Sequence, residues 1–228
     1  MQRIAAFFVL SLLAVSSAFA QKQIAVEHSY AGFSSVQAGS FFEISFIPSD
    51  EYRVRIVTDS MIENYILAYA KEGTLYLDVD EKAMPSDVRR IFKAKNPVLA
   101  IPHVEIYSPA PRSVSITGNS VIDCDSVLVA DSFSLALSKT AAVKKLDVRA
   151  GKVMLDLDNR SQAYMSVEAE SLNVQSSHNT MAELRIDVRN LAVYADGFAS
   201  VELFGNAVKM TVSTEGSSKI SLEGHDRD

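Results

Sequence analysis

Apolar residues return every 19 positions along the second half of the chain. The main series starts at Val127 and continues at that interval through Leu146, Met165, Leu184, Leu203 and Leu222. Two further series run beside it: Val153, Leu172, Leu191 and Met210, then Leu155, Val174, Val193 and Val212. A spacing held over so many intervals indicates a structural repeat.

Each repeat contains two short strands joined by corners. Apolar and polar residues alternate from Ala182 to Val188, which is the period of a strand with one buried face. One corner contains residue types that tolerate a positive φ, again 19 apart: Asn159, His178, Gly197 and Gly216. A second corner is predicted at Arg189-Asn190, Gly205-Asn206 and Gly224.

The constant spacing discriminates between two architectures. In a parallel solenoid each coil stacks in register on the last, about 4.8 Å away, whereas the loops of an antiparallel meander vary freely in length. We therefore predict an all-β fold, a parallel, β-helix-like solenoid with 19-residue coils over residues 104–224. An irregular or antiparallel β region at 21–103 precedes it, and a tail at 225–228 follows.

Before the repeat, strands are predicted without the 19-residue spacing. They flank Pro48-Ser49-Asp50, at 41–47 and 52–57, and Glu72-Gly73, at 66–70 and 74–79. Two hairpins and irregular coils fit this pattern equally well.

Residues 81–97 form a basic excursion, in which Ser86 and Asp87 can start a short helix. It is either a solvated segment whose Ile91 and Phe92 pack back onto the sheet, or a contact patch for an anionic glycan or a protein. Its basic residues are Lys82, Arg89, Arg90, Lys93 and Lys95.

The earliest coils are out of phase with the later ones. Val114 and Ile116 lie 19 residues before Phe133 and Leu135, one residue out of step with the series from Val153. We expect one extra residue as a bulge, placed at the corner 140–142.

Residues 1–20 have the composition of a secretory signal peptide. Arg3 provides the positive charge, residues 4–15 the apolar core, and Ala18-Phe19-Ala20 a cleavage site before Gln21. The apolar run is too short to cross a bilayer. We expect an exported protein, located in the periplasm, on the outer cell surface or outside the cell.

Charge and cysteine content narrow the function classes. The chain has a net charge of −6, and an acidic surface argues against nucleic acid and anionic membranes as partners. Cys124 is the single cysteine, so an internal disulfide is excluded. It is either packed in the first coils or available for an intermolecular disulfide. The oligomeric state is left open.

The order of motifs resembles the head GIN domain family, secreted proteins common in the Bacteroidetes that are described as putative auto-transporter adhesins. The resemblance rests on Phe33 to Val36, the Glu72-Gly73-Thr74-Leu75 strand entry, Pro109 and Pro111, and residues 114–120, Val-Ser-Ile-Thr-Gly-Asn-Ser. Ser35-Val36-Gln37 stands nearest to the Gly-Ile-Asn of the family's name. The resemblance implies a solenoid-like fold and a cell-envelope location, without catalytic residues.

No cofactor or metal site is predicted. The histidines, His28, His103, His178 and His225, lack metal-ligand spacing. Stacked carboxylates could share Ca²⁺, although solvated acidic corners explain them better. Those columns are Asp158, Ser177, Asp196 and Glu215, and Glu168, Asp187 and Asn206.

Exposed aromatic and charged residues suggest a binding surface. Aromatic rings on a flat sheet can stack on sugars or anchor a protein. We therefore predict a non-enzymatic, adhesin-like module for a glycan or a cell-surface protein, with a structural envelope scaffold as the alternative. A glycan-active enzyme is a third hypothesis, since Glu183, Arg185 and Glu202 cluster on neighbouring coils. The candidate residues are Tyr164, Glu183, Arg185, Tyr194, Phe198, Glu202 and Phe204.

Overall fold

The structure, a computed structural model, describes residues 23–93 and 101–223. The predicted signal peptide, Lys95, Gly224 and the tail lie outside the described residues. In the described part, fourteen strands and one α-helix, α1 (Ser86–Phe92), are present. The strands are β1 (Gln23–Ser29), β2 (Ser35–Ala38), β3 (Glu43–Pro48), β4 (Arg53–Asp59), β5 (Ile66–Lys71), β6 (Thr74–Val79), β7 (His103–Ser108), β8 (Ser113–Thr117), β9 (Val121–Ser138), β10 (Ala142–Leu157), β11 (Gln162–Ser176), β12 (Met181–Ala195), β13 (Ser200–Thr214) and β14 (Lys219–Glu223).

The fold is the predicted parallel β-solenoid, with about six turns. Each of β9 to β13 passes through two rows of strands. The first row, sheet A, has the order β1-β4-β7-β3, then the first halves of β9 to β13, then β14. The second row, sheet B, has the order β5-β6-β2-β8, then the second halves of β9 to β13.

The core lies between the two sheets. Leu184 pairs with Met165 and Leu203, and Leu191 pairs with Leu172 and Met210, as the 19-residue columns predict. Inward positions of the middle coils are buried, while their outward neighbours are partly or fully exposed. Burial of these apolar columns, at roughly 25 cal/mol per Å², is what holds each coil on the next.

The predicted positive-φ corner is confirmed in every coil. Asn159, His178, Gly197 and Gly216 have φ between 64° and 69°. Lys139, with φ 62°, and Gly118, with φ 77°, extend this column into the earlier coils. Backbone hydrogen bonds continue through the corner, for example from Phe198 N to His178 O at 2.8 Å.

The second corner is only partly as predicted. The ladder skips Arg189 and its equivalents Glu170 and Gly151, so this corner exists. Gly205, by contrast, pairs with Ile186 inside sheet A. A Cβ on Gly205 would lie 2.1 Å from Ile186 O, so this glycine permits a close backbone approach between strands rather than a corner.

The phase shift has a different position from the predicted corner. The corner has constant length, because Leu137 to Ala142 and Leu157 to Gln162 both span five positions and both stack. Instead, the register changes between Val143 and Asp147. Four residues of β9, three of β10 and two of β11 lie between the same paired positions, so the first coils are longer.

Two predicted pairings are therefore wrong. Val127 pairs with Asp147 rather than stacking on Leu146, because the longer bulge of β9 displaces it. Val114 pairs with Leu135, and not with Phe133, because the coil there is 21 residues long.

The N-terminal strands complete both sheets. The β5–β6 hairpin is antiparallel around Glu72 and Gly73, both with positive φ. The other predicted hairpin does not form, since β7 lies between β3 and β4, parallel to β3 and antiparallel to β4. Strand alternation fixes which residues point inward, but it does not identify the neighbouring strand, and β7 contributes the fully buried Val104 and Ile106.

The excursion after β6 packs back onto the body. Helix α1 forms where Ser86 and Asp87 predicted it, and its Phe92 ring lies 4.9 Å from that of Phe41. Lys93 forms an ion pair with Glu81, and Arg89 donates to Glu81 O at 3.3 Å, which neutralises part of the predicted basic patch. Cys124 is buried, with its thiol 3.3 Å from Phe46 O.

Candidate functional site

The outer face of sheet A brings five of the predicted residues together. Tyr164, Glu183 and Glu202 pair across β11, β12 and β13 and form one outward column. Arg185 and Phe204 form the next column, two residues along the strands. They share this face because odd-numbered positions of β12 point outward while Leu184 and Ile186 point into the core.

These columns border a shallow groove of about 780 Å³ on sheet A, which we call the outer groove. It crosses the strands from β10 to β13, so that each coil contributes side chains of similar height to its wall. Its polar and aromatic lining residues are Asp147, Arg149, Ser166, Glu168, Glu183, Arg185, Asp187, Phe204, Asn206 and Glu223.

The outer groove carries charges of both signs within a few ångströms. Arg149 Nε lies 2.8 Å from Glu168 Oε2, and both side chains are well exposed. An exposed pair of this kind contributes only about 0–1 kcal/mol, so both groups can exchange partners with a ligand. Among the described residues, no carboxylate forms an ion pair with the exposed Arg185.

An apolar ridge continues the site around the corner. Phe198 is 72% exposed and Met181 is 45% exposed. Both border a second depression beside Ser200, and Tyr164 Oη lies 3.5 Å from Met181 Sδ. The predicted aromatics Tyr164 and Phe198 therefore border the groove side of the molecule.

Tyr194 is separate from the other candidates. It belongs to the second half of β12, in an outward column of sheet B with Gln175 and Ser213. Desolvation, followed by the nearby carboxylates of Glu215 and Asp196, raises its pKa above the ordinary value, so the phenol stays neutral at physiological pH. It cannot share a ligand with the outer groove on the opposite sheet.

Sequence reasoning missed the contrast between the two outer faces. Two long outward columns of sheet B contain mainly hydroxyl, amide and small side chains, with one charged residue in each. The first is Tyr69, Tyr76, Gln37, Ser115, Ala136, Asp156, Gln175, Tyr194 and Ser213. The second is Lys71, Thr74, Ser35, Ser113, Ser134, Met154, Asn173, Ala192 and Thr211.

Sequence reasoning also missed Asp147 and Arg149 as members of the groove. Their columns are reached only by crossing the bulge of β10, which breaks the 19-residue count. Ser166, Glu168 and Asp187 follow the count and were available from it.

The described residues contain no group of three His, Cys, Asp or Glu side chains placed to hold a metal ion. His178 is a corner residue, with Nδ1 2.7 Å from Asp158 Oδ1, and its backbone N donates to Asp196 Oδ1 at 3.2 Å. Within the same part of the chain, no helix is long and apolar enough to span a membrane.

A family comparison decides the relationship of this solenoid to known proteins. Residues 32–184 match the family described as putative auto-transporter adhesin, head GIN domain. The chain belongs to the head GIN domain family. The matched region begins just before β2 and ends within β12, so it covers the inserted strands, the bulged coils and part of the outer groove.

Solved structures share the head GIN fold at low sequence identity. A putative adhesin from Bacteroides fragilis is similar with a TM-score of 0.59 and 17% identity, covering 89% of this chain and 98% of its own. A putative adhesin from Parabacteroides distasonis has a TM-score of 0.51 and 13% identity, covering 90% and 98%. No curated protein sequence matches the chain.

Proposed function

We propose that this head GIN protein is an exported, non-enzymatic, adhesin-like module of the cell envelope that binds a glycan in the outer groove. The single observation that carries the proposal is the groove itself, where an aromatic ring, arginines and carboxylates from four coils face one accessible depression. The composition of residues 1–20 supports export.

The chemistry of the groove suits a sugar. The half-buried ring of Phe204 offers an apolar face for stacking on a pyranose. Beside it, Arg185 donates and Glu183 accepts hydrogen bonds, which are the contacts that orient sugar hydroxyls. The repeat spacing of about 4.8 Å between coils presents similar groups along the length of a chain-like ligand.

The test is a glycan array of the folded mature chain, residues 21–228, followed by calorimetry on any hit. Phe204→Ala removes a stacking contact of about 1 kcal/mol, so the dissociation constant rises about fivefold. Arg185→Ala is expected to weaken binding at least as much. The matched control is Tyr194→Ala on sheet B, which leaves binding unchanged.

The other outcomes distinguish the competing functions. No binding in the array, with a cell-surface protein captured through the same groove residues, identifies a protein adhesin. Silence in both assays favours a structural scaffold. Shortening of an incubated polysaccharide that stops in Glu202→Gln identifies a glycan-active enzyme.

A further inference from the structure

The C-terminal end of the solenoid is an unfinished coil. In sheet A, β14 pairs with Ser200–Phe204. In sheet B, none of the described residues pairs with the outer edge of the second half of β13. The stack therefore ends in a step, one strand high, with β14 on the raised side.

Core residues are exposed on this step. Met210 is 48% exposed and Val212 is 41% exposed, whereas their stacked equivalents Leu191 and Val193 are each 3% exposed. On the raised side, Leu222 is 39% exposed. These side chains point into the space that the next coil would occupy, and an uncovered strand edge of this kind favours pairing with another strand.

We propose that a second copy of this chain covers the step, forming a two-fold symmetric dimer in which β14 of each copy pairs with the second half of β13 of the other. The dimer axis runs between the sheets and parallel to the strands. A half-turn about this axis exchanges sheet A with sheet B, so each raised side enters the lowered side of the other copy. The contact is isologous, with every pairing made twice.

The strand directions agree with this arrangement. The chain runs in opposite directions in the two sheets of a flattened coil, and rotation about an axis parallel to the strands preserves each direction. The edge of β14 therefore meets the partner's β13 in antiparallel orientation. An antiparallel ladder satisfies the backbone groups of both edges.

The residue register is complementary in both shape and charge. Ile220 and Leu222 are inward, since they continue the columns of Val201 and Leu203. Placing Leu222 opposite the partner's Met210 places Ile220 opposite the partner's Val212. The same register sets Glu223 opposite the partner's Lys209, and Ser221 opposite the partner's Thr211. Apolar residues thus meet apolar residues, and the acidic residue meets a basic one.

The first test is sedimentation velocity of the mature chain over a wide concentration range. We expect the mass to double as concentration rises, and Val212→Lys to abolish that increase by placing a charge in the inward ladder. Because Val212 is already partly exposed, this substitution is compatible with folding of each copy. The matched control is Met154→Lys, at a residue that is 50% exposed on the outer face of sheet B, and it leaves association unchanged.

Cysteine cross-linking tests the register. A variant with both Ser221→Cys and Thr211→Cys is expected to form disulfide-linked dimers under mild oxidation, while either single variant is not. Cross-linking of Ser221→Cys alone would indicate β14 pairing with itself and would overturn the proposed geometry. A chain that stays monomeric at every concentration, as it would if residues after Glu223 covered the step, overturns the dimer.

Discussion

Gly205 provides the sharpest test of the stacking register, because its replacement by alanine affects one defined contact. Gly205 has φ 123° and pairs with Ile186. An added Cβ would lie 2.1 Å from Ile186 O and 3.2 Å from Ile186 C. Both atoms are backbone atoms of a hydrogen-bonded strand, so they cannot rotate away as a side chain does.

Two costs follow from Gly205→Ala. A non-glycine residue in this backbone conformation costs about 1–3 kcal/mol. Relief of the clash requires β13 to move away from β12, and each hydrogen bond lost from the ladder costs about 1 kcal/mol. We expect β13 to lose at least about 3 kcal/mol of local stability.

The loss is expected to remain near the C-terminal end. In a solenoid each coil contacts only its neighbours, so β13 and β14 can open while the earlier coils stay folded. Amide hydrogen exchange, followed by mass spectrometry, measures this local opening. With about 1.4 kcal/mol for each tenfold change, exchange in residues 200–223 accelerates about 100-fold.

Gly73→Ala is the matched control. Gly73 also has a positive φ, 74°, but no heavy atom lies within 4 Å of its Cβ position. This substitution carries only the backbone cost, about 1–2 kcal/mol, and its effect is confined to the β5–β6 hairpin. If Gly205→Ala leaves exchange in β13 unchanged, the close approach between Ile186 and Gly205 is refuted, and with it the register of the last coils.

Two further predictions concern stability. Lys139 adopts φ 62°, so Lys139→Gly relieves about 1 kcal/mol of strain; urea unfolding should show a higher midpoint, whereas Lys152→Gly within a strand lowers it. For Glu105, burial alone would raise the pKa, but hydrogen bonds from Arg55 and Tyr107 and the charge of Arg55 bring the pKa below its ordinary value. A carboxyl with a lower pKa in the folded state stabilises above its unfolded pKa of about 4.3, and this contribution is lost as pH falls through the folded pKa. Unfolding measured from neutral to acid pH should therefore weaken less in Glu105→Gln than in the wild type, and parallel curves would contradict this assignment.

The constant repeat made the C-terminal coils predictable. Alternation identified the inward residues, equal spacing identified the stacked ones, and the corner column followed from residues that accept a positive φ, with His178 joining Gly197. Lys139 escaped prediction because lysine carries no such signal. Its corner conformation is imposed by the coils stacked above and below it.

The N-terminal half was less predictable because long-range pairing decides it. Strands β3 and β4 have the local pattern of a hairpin, yet β7, more than 40 residues later in the chain, separates them. Likewise, the bulges of β9 and β10 leave no mark in local alternation, which hid Asp147 and Arg149 from the groove. The aromatic and charged residues on the regular coils were found because the count of 19 holds there.

The two ends of the solenoid differ in a way that bears on assembly. At the N-terminal end the parallel stack stops in antiparallel strands, β4 and β1 on sheet A and β5 on sheet B. An antiparallel edge breaks the repeat, because the next parallel coil can no longer add in the same register. At the C-terminal end the described strands remain parallel up to β14, and inward positions of β13 and β14 still carry apolar side chains. Growth of the stack is therefore blocked at one end by strand direction and left open at the other, so association is expected at the C-terminal step, away from the first coils.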